Sequence, residues 1–210
     1  MVEWKVTNKL VEYQEAINFM ENKVESIFND NSPELVWLLE HEHLYSAGTS
    51  AKDNELIRNN NFPVYKTGRG GKYTYHGPGQ RIGYVMLNLK KRYYPNSPDL
   101  KLYIWHLEEW LIKSLDIIGI KGERRKDRIG IWVATKFGEK KIAAIGVRVR
   151  KWITYHGFAL NINPNLDHFN HIIPCGISEY GVTSIEQLGY NIAVQKIDEI
   201  LKKKFLEIFK

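Results

Sequence analysis

The sequence predicts an α/β fold of the α+β kind: a single domain over residues 1–210, with a central mixed sheet flanked by helices. Three observations predict it. Apolar residues recur at helical spacing near both ends and in the middle of the chain. Short apolar or alternating runs are grouped between those helices. The 210-residue length and 43% hydrophobic fraction suffice for one sizeable core, with no repeat, low-complexity tract or obvious linker to divide it.

The elements follow in order. Leu10, Tyr13, Ile17, Met20, Val24 and Ile27 recur at spacings of three and four, marking an amphipathic helix. Leu35–Leu39, after Ser32-Pro33, reads as a buried strand. Asp99 caps a second helix carrying Tyr103, Leu107, Trp110, Leu111 and Ile118, which Gly119 ends. Ile129 to Val133 reads as a strand and Phe137-Gly138-Glu139 as a turn. Ile145, Val147 and Val149 alternate with Gly146, Arg148 and Arg150, as on a half-buried strand, and a similar strand runs from Trp152 to Asn161. Thr183 caps a short helix before Gly189. Ile197, Leu201, Phe205 and Ile208 form a last helix.

Composition narrows the function. A charged fraction of 26% suits an ordinary soluble protein. The single cysteine excludes an intramolecular disulfide and any cysteine-clustered metal site. No signal peptide follows Met1-Val2-Glu3-Trp4-Lys5 and no apolar stretch spans a bilayer, so a cytoplasmic location is expected. The net charge of +6 suits an acidic partner, nucleic acid or anionic lipid. The densest basic run, Lys121 to Arg128, is broken by Glu123 and Asp127, which weakens a nucleic-acid reading.

Three places carry candidate chemistry. Cys175 lies between Pro174 and Gly176, a pair that favours a rigid turn and a fixed thiol; a small buried hydrophobe is the plainer reading. Arg69-Gly70-Gly71-Lys72-Tyr73-Thr74-Tyr75-His76-Gly77-Pro78-Gly79-Gln80 holds four glycines, which permit close backbone approach to a ligand. An Arg beside paired glycines holds a carboxylate, a phosphate or a carbonyl. The spacing fits neither dinucleotide fingerprint nor P-loop. His76 is placed at a strand end beside a tight turn, where a hydrogen-bonded structural role also accounts for it. Lys141 opens the third segment. There Ala143, Ala144 and Gly146, with Gly157 and Ala159 on the next strand, leave either a trough for a slim apolar ligand or room for a packed helix. If Lys141 faces Cys175, its charge favours the thiolate, and burial lowers its own pKa.

Taken together, Arg69-Gly-Gly-x-x-Thr74-Tyr-His76-Gly-Pro-Gly-Gln80, Lys141-Ile-Ala-Ala-Ile-Gly146-Val-Arg, Tyr155-His-Gly-Phe-Ala-Leu-Asn161 and Pro174-Cys-Gly-Ile177 closely resemble the lipoyl(octanoyl) transferases. Leu38-Leu-Glu-His41 and Gly181-Val-Thr-Ser-Ile185 match as well. Glu42 to Gly48 departs from the family pattern, which often carries prolines and a Thr-Leu-Gly ending there. The resemblance implies the fold of the biotin and lipoate protein ligase catalytic domain. It implies transfer of an octanoyl group from acyl carrier protein to a lysine ε-amine, with no cofactor and no metal. Acceptors would be lipoyl domains of 2-oxoacid dehydrogenase E2 subunits and the glycine cleavage H protein, and the enzyme a monomer that needs neither nucleic acid nor membrane. Cys175 would be the nucleophile, forming an acyl-thioester, and Lys141 its acid–base partner. Arg69, Gly70, Gly71, Lys72, Tyr73, Thr74, Tyr75, His76, Ala144, Ile145, Gly146, Gly157, Phe158 and Ala159 would bind substrate. Two alternatives are an ATP-dependent lipoate–protein ligase of the same fold and a non-catalytic module binding acyl carrier protein or nucleic acid. Intact Cys175, Lys141 and His76 favour the transferase.

Overall fold

The structure, a computed structural model, describes residues 2–58, 61–172 and 180–209. Strand β2 (Glu34–His41) is apolar on both faces because both are covered. Leu35, Trp37 and Leu39 pack against α1 (Tyr13–Phe28) with Met20 and Val24, whereas Val36 and Leu38 join Leu107, Trp110 and Phe205 on the opposite side. Each such fully buried side chain contributes about 1.5–3 kcal/mol. Strand β1 (Val2–Val11) pairs in parallel with β2, and α1 supplies the crossover that parallel strands require.

From β2 the sheet continues antiparallel through β6 (Gln80–Met86), β9 (Ile153–Asn161) and β8 (Gly138–Arg150). Strand β10 (Gly181–Val182) then pairs with β8 in parallel, and β7 (Ile131–Thr135) pairs with β8 antiparallel. The sheet is therefore mixed, with α1 on one face and α3 (Leu100–Ile117) and α4 (Val194–Ile208) on the other. A second sheet of β4 (Val64–Lys66), β3 (Leu44–Ala47) and β5 (Tyr73–His76) stands beside it over a small core of Tyr45, Tyr75, Phe169 and Ile172. Beyond the point where β7 ends on Ala143, Gly70 N–H adds a further rung to β8 by donating to the Val147 carbonyl. Among the described residues, no helix is long and apolar enough to cross a membrane.

Several boundaries differ from expectation. Leu10 is not helical; it lies on β1, and Glu12 caps α1 by accepting from Gln14 N–H and Glu15 N–H. The strand expected at Ile129–Val133 starts at Ile131. The turn that follows is Lys136–Phe137, with Gly138 at φ +96°, a conformation glycine adopts without strain. Strand β8 thus begins at Gly138, and Lys141 is inside it rather than at its opening. Trp152 occupies a turn at φ 64°, so β9 starts at Ile153. The Thr183 helix is absent; residues 185–189 form turns. Ile185 N–H and Glu186 N–H are committed to the carbonyls of Asn161 and Ile162, which ties this segment to β9. Asp99 caps α3 as expected, accepting from Lys101 N–H and Leu102 N–H.

Candidate active site

Strands β6, β9 and β8 form the floor of a cleft of about 510 Å³ that opens to solvent. Its far end is closed by Tyr13, Tyr84 and His156, and one wall comes from residues 69–76. Register pairs Ala144 with Ala159 and Gly146 with Gly157, while Ile82 and Tyr84 of β6 stand opposite Ala159 and Gly157. Lys141 and Asn161 line a smaller pocket with Thr74, Gln80, Ala144 and Ala159, so the two pockets meet at Ala144 and Ala159. From Asn161 to Gly157 the floor runs roughly 13 Å at the usual strand rise.

The expected substrate residues divide by what they present. Arg69, Gly71, Lys72, Tyr73, Thr74 and His76 line the cleft. Tyr75 does not: its ring lies in the small core, and its hydroxyl bonds to His43 Nδ1 at 2.8 Å. Gly70 supports the loop through its bond to β8. Ile145 and Phe158 border the cleft, but both side chains pack on the α3 side, where the Phe158 ring meets Trp110 edge-on at 5.1 Å. A Cβ on Gly146 would lie 3.0 Å from the Gly70 carbonyl oxygen, so its bareness admits the Arg69–Gly71 loop. A Cβ on Gly157 would lie 2.2 Å from the Gly83 carbonyl oxygen. Gly157 is therefore small to let two strands approach. The paired methyls of Ala144 and Ala159, over Ile82, leave the trough open.

Lys141 is buried. Its Nζ donates to the Ile129 carbonyl at 3.1 Å and stands 4.7 Å over the Trp132 ring, a placement that suits an ammonium. Cys175, the expected nucleophile, lies outside the described residues, which resume at Tyr180 and stop at Ile172 on either side of it. Arg69 Nη2 donates to the Ser46 carbonyl at 2.7 Å and to Ser46 Oγ at 2.8 Å. Lys72 pairs with the buried Glu55 at 2.6 Å.

Sequence reasoning missed several cleft residues. Tyr13 reads as an ordinary core position of α1, and only the tertiary fold brings its ring, 2% exposed, to the cleft end. His41 lies beneath, bonded through Nδ1 to the Val11 carbonyl and through Nε2 to the Tyr84 hydroxyl. A carbonyl only accepts, so Nδ1 carries the proton and Tyr84 O–H donates to Nε2. His156 borders the cleft from a left-handed backbone, φ 57°.

Burial keeps three histidines neutral. It lowers His41 from 6.5 to about 4 and His156 to about 3, the latter aided by Arg69 and Arg148. His76 lies well below 6.5 for the same reason, with His41 and Arg69 adding repulsion. Below about pH 6.5 the unfolded chain takes up protons on these rings that the folded chain refuses. Stability is therefore expected to fall as pH drops from about 6.5 toward 4. Calorimetric Tm across that window checks this, and a flat Tm contradicts it.

The arginines of the densest basic run, in which Glu123 and Asp127 already weaken a nucleic-acid reading, are engaged internally. Arg124 pairs with Glu108 and Glu109, Arg125 with Glu123 and Glu139, and Arg128 with Glu139 while its guanidinium covers the Trp132 and Tyr180 rings.

The fold and the cleft define a class. A family model described as the lipoyl protein ligase A/B catalytic domain matches residues 12–206. A bipartite lipoate protein ligase from Thermoplasma acidophilum superposes with a TM-score of 0.73 at 16% identity, over 99% of this chain and 84% of that one. A biotin protein ligase from Aquifex aeolicus, in complex with biotin and ATP, gives 0.56 at 16% identity, over 99% and 69%. These two share the fold. Sequence relatives are nearer. An octanoyltransferase of Wolbachia pipientis subsp. Culex pipiens (strain wPip) is 56% identical over 100% of both chains. One of Bartonella quintana (strain Toulouse) is 54% identical over 99% of this chain and 87% of its own. The chain belongs to the lipoyl(octanoyl) transferases, a family of acyltransferases within the lipoyl protein ligase class.

Proposed function

We propose that this chain, as one catalytic domain over residues 1–210, transfers an octanoyl group from octanoyl-acyl carrier protein to a lysine ε-amine on lipoyl domains. Those of 2-oxoacid dehydrogenase E2 subunits and the glycine cleavage H protein are the acceptors, and the enzyme acts as a cytoplasmic monomer without metal or cofactor. The observation that carries the reading is the apolar trough over Ala144, Ala159 and Ile82 leading to the buried Lys141. Arg69, Gly71, Lys72, Tyr73, Thr74 and His76 line the wall against which the substrate lies, and Gly70, Tyr75, Ile145, Gly146, Gly157 and Phe158 support it through backbone or packing.

The chemistry follows from the residue types. The Cys175 thiolate attacks the donor thioester carbonyl, and the tetrahedral adduct collapses to an octanoyl-enzyme. The carrier's pantetheine sulfur leaves as a thiol, taking its proton from the Lys141 ammonium. The neutral Lys141 amine then accepts a proton from the acceptor amine as that nitrogen attacks the enzyme thioester. The amide forms, and the Cys175 thiolate and Lys141 ammonium are restored. An ATP-dependent ligase would need no thiol, and relatives 54–56% identical, named octanoyltransferases, support the transferase.

The test is transfer from octanoyl-acyl carrier protein to a lipoyl domain with and without ATP, with mass spectrometry of the enzyme. ATP-independent transfer and an octanoyl adduct on Cys175 support the reading; strict ATP dependence or an unmodified Cys175 overturns it.

Chain length offers a second readout. Ala159→Leu should fill the trough and depress octanoyl transfer more than butanoyl transfer. Excluding two or three methylenes at about 0.8 kcal/mol each shifts the ratio roughly tenfold or more. The check is the ratio of activities across acyl lengths in a variant whose Tm is preserved; a uniform loss assigns Ala159 to packing alone.

A further inference from the structure

Two residues at the ends of the sequence motifs, Gln80 and Asn161, are unused by the reaction as described. Both are nearly fully buried and line the small pocket at Lys141. They belong to one hydrogen-bonded chain. Arg69 Nη2 reaches Ser46 Oγ at 2.8 Å, Ser46 Oγ reaches His76 Nε2 at 3.1 Å, and His76 Nδ1 reaches Gln80 Oε1 at 2.7 Å. Gln80 Nε2 reaches Asn161 Oδ1 at 2.9 Å, and Asn161 Nδ2 reaches the Thr183 carbonyl at 3.0 Å. Thr183 N–H in turn donates to the Lys141 carbonyl at 2.9 Å.

The Thr183 carbonyl fixes the direction of the chain as far as the imidazole, and Arg69 fixes what Ser46 accepts at the other end. A guanidinium donates and never accepts; a peptide carbonyl accepts and never donates. From the Thr183 end, Asn161 must turn its NH₂ to that carbonyl and its oxygen to Gln80. Gln80 must then donate to Asn161 and accept from His76. From the Arg69 end, Ser46 Oγ accepts from the guanidinium, and its own hydrogen remains available to a bare His76 Nε2. The Thr183 end therefore demands a proton on His76 Nδ1, and in the neutral ring that leaves Nε2 bare to accept from Ser46. Burial, with Arg69 and His41 nearby, disfavours the imidazolium, which would put a second proton on Nε2.

We propose that Gln80 and Asn161 are positioning residues, which lock His76 as its Nδ1–H tautomer and pin Thr183 against Lys141, so that the Arg69 wall and the Lys141 strand form one rigid unit. The kinetic part of this inference rests on the function proposed above; the tautomer part does not. His76 is then a rigid hydrogen-bonding link and not a proton carrier.

The experiment combines two measurements. Long-range ¹H–¹⁵N correlation spectra of the wild-type enzyme at neutral pH should show His76 with a protonated Nδ1 and a bare Nε2. The opposite tautomer or an imidazolium overturns the proposal, whether or not the enzyme transfers octanoyl groups. Gln80→Glu cannot donate to Asn161, and Asn161→Asp cannot donate to Thr183. In each, kcat for octanoyl transfer should fall roughly tenfold to a hundredfold with KM for the donor changed by less than about twofold, a loss of the size expected for one broken buried hydrogen bond. Unchanged kcat in folded variants overturns the proposal, and if neither variant folds the wild-type spectrum alone decides. A wild-type enzyme without octanoyl transfer would instead refute the proposed function and leave the tautomer to judge the network.

Discussion

Cys175→Ala is expected to lower octanoyl transfer by roughly 10³-fold or more while leaving the fold intact, because no second thiol exists to form the acyl-enzyme. Cys175→Ser should fail nearly as completely, since a hydroxyl at neutral pH is a far weaker nucleophile than a thiolate. Lys141→Ala should cost about 10²–10⁴-fold as a lost acid–base group. It should also slow iodoacetamide alkylation of Cys175 at neutral pH and move the alkylation profile to higher pH. Lys140→Ala is the control: that side chain is half-exposed and its Nζ lies 5.9 Å over the Phe137 ring. Substantial transfer by the alanine variant at 175 would remove the covalent route. An unmoved alkylation profile in Lys141→Ala would remove the Cys–Lys coupling even if activity fell.

The largest effect on stability is expected at Asp198. Arg81 projects from β6 and is 1% exposed, and Asp198 of α4 meets its guanidinium through both carboxylate oxygens. Such a pair adds little over an apolar pair of the same shape, but removing one member strands a charge in the interior. Asp198→Ala should therefore destabilise the protein by about 3–5 kcal/mol, a fall in Tm on the order of 10 °C for a chain of this size. Replacing both partners, Arg81→Met with Asp198→Leu, should restore most of that loss. Thermal and urea melts of the single and double variants measure it; a mild single variant would mean that water reaches Arg81.

Some of this was legible in the residues. Leu35–Leu39 is apolar without alternation because both faces of β2 are covered, and Asp99 announces its helix by a side chain that accepts backbone N–H groups. The lining of the candidate site was legible at Arg69 and His76 in the cleft and at Lys141 in the adjoining pocket. Strand β1 was hidden because its pattern mixes exposed and half-buried positions, so Leu10 was absorbed into the helical spacing that begins at Tyr13. Tyr13 and Ser46 were hidden because only tertiary contacts bring Tyr13 to the cleft and Ser46 to Arg69 and His76. Gly157 shows the opposite limit. Its smallness was visible, but whether that served a ligand or a neighbouring strand depends on the Gly83 carbonyl, which no local pattern reveals. The basic run Lys121–Arg128 likewise gave no sign that its carboxylate partners come from α3 and β8.

The rung that Gly70 adds to β8 has a bearing on solubility. An unpaired strand edge is a template for another chain, and proteins commonly blunt it with charge, proline or a covering segment. Here the cover is the Arg69–Gly71 loop, whose other duty is to line the cleft. Lining the cleft and shielding the strand edge are thus vested in the same few residues. Lengthening or loosening that loop to admit a bulkier substrate would also uncover the edge at Val147. The floor positions, Ala144 and Ala159, carry no such double duty, which leaves them the freer places for acyl preference to diverge.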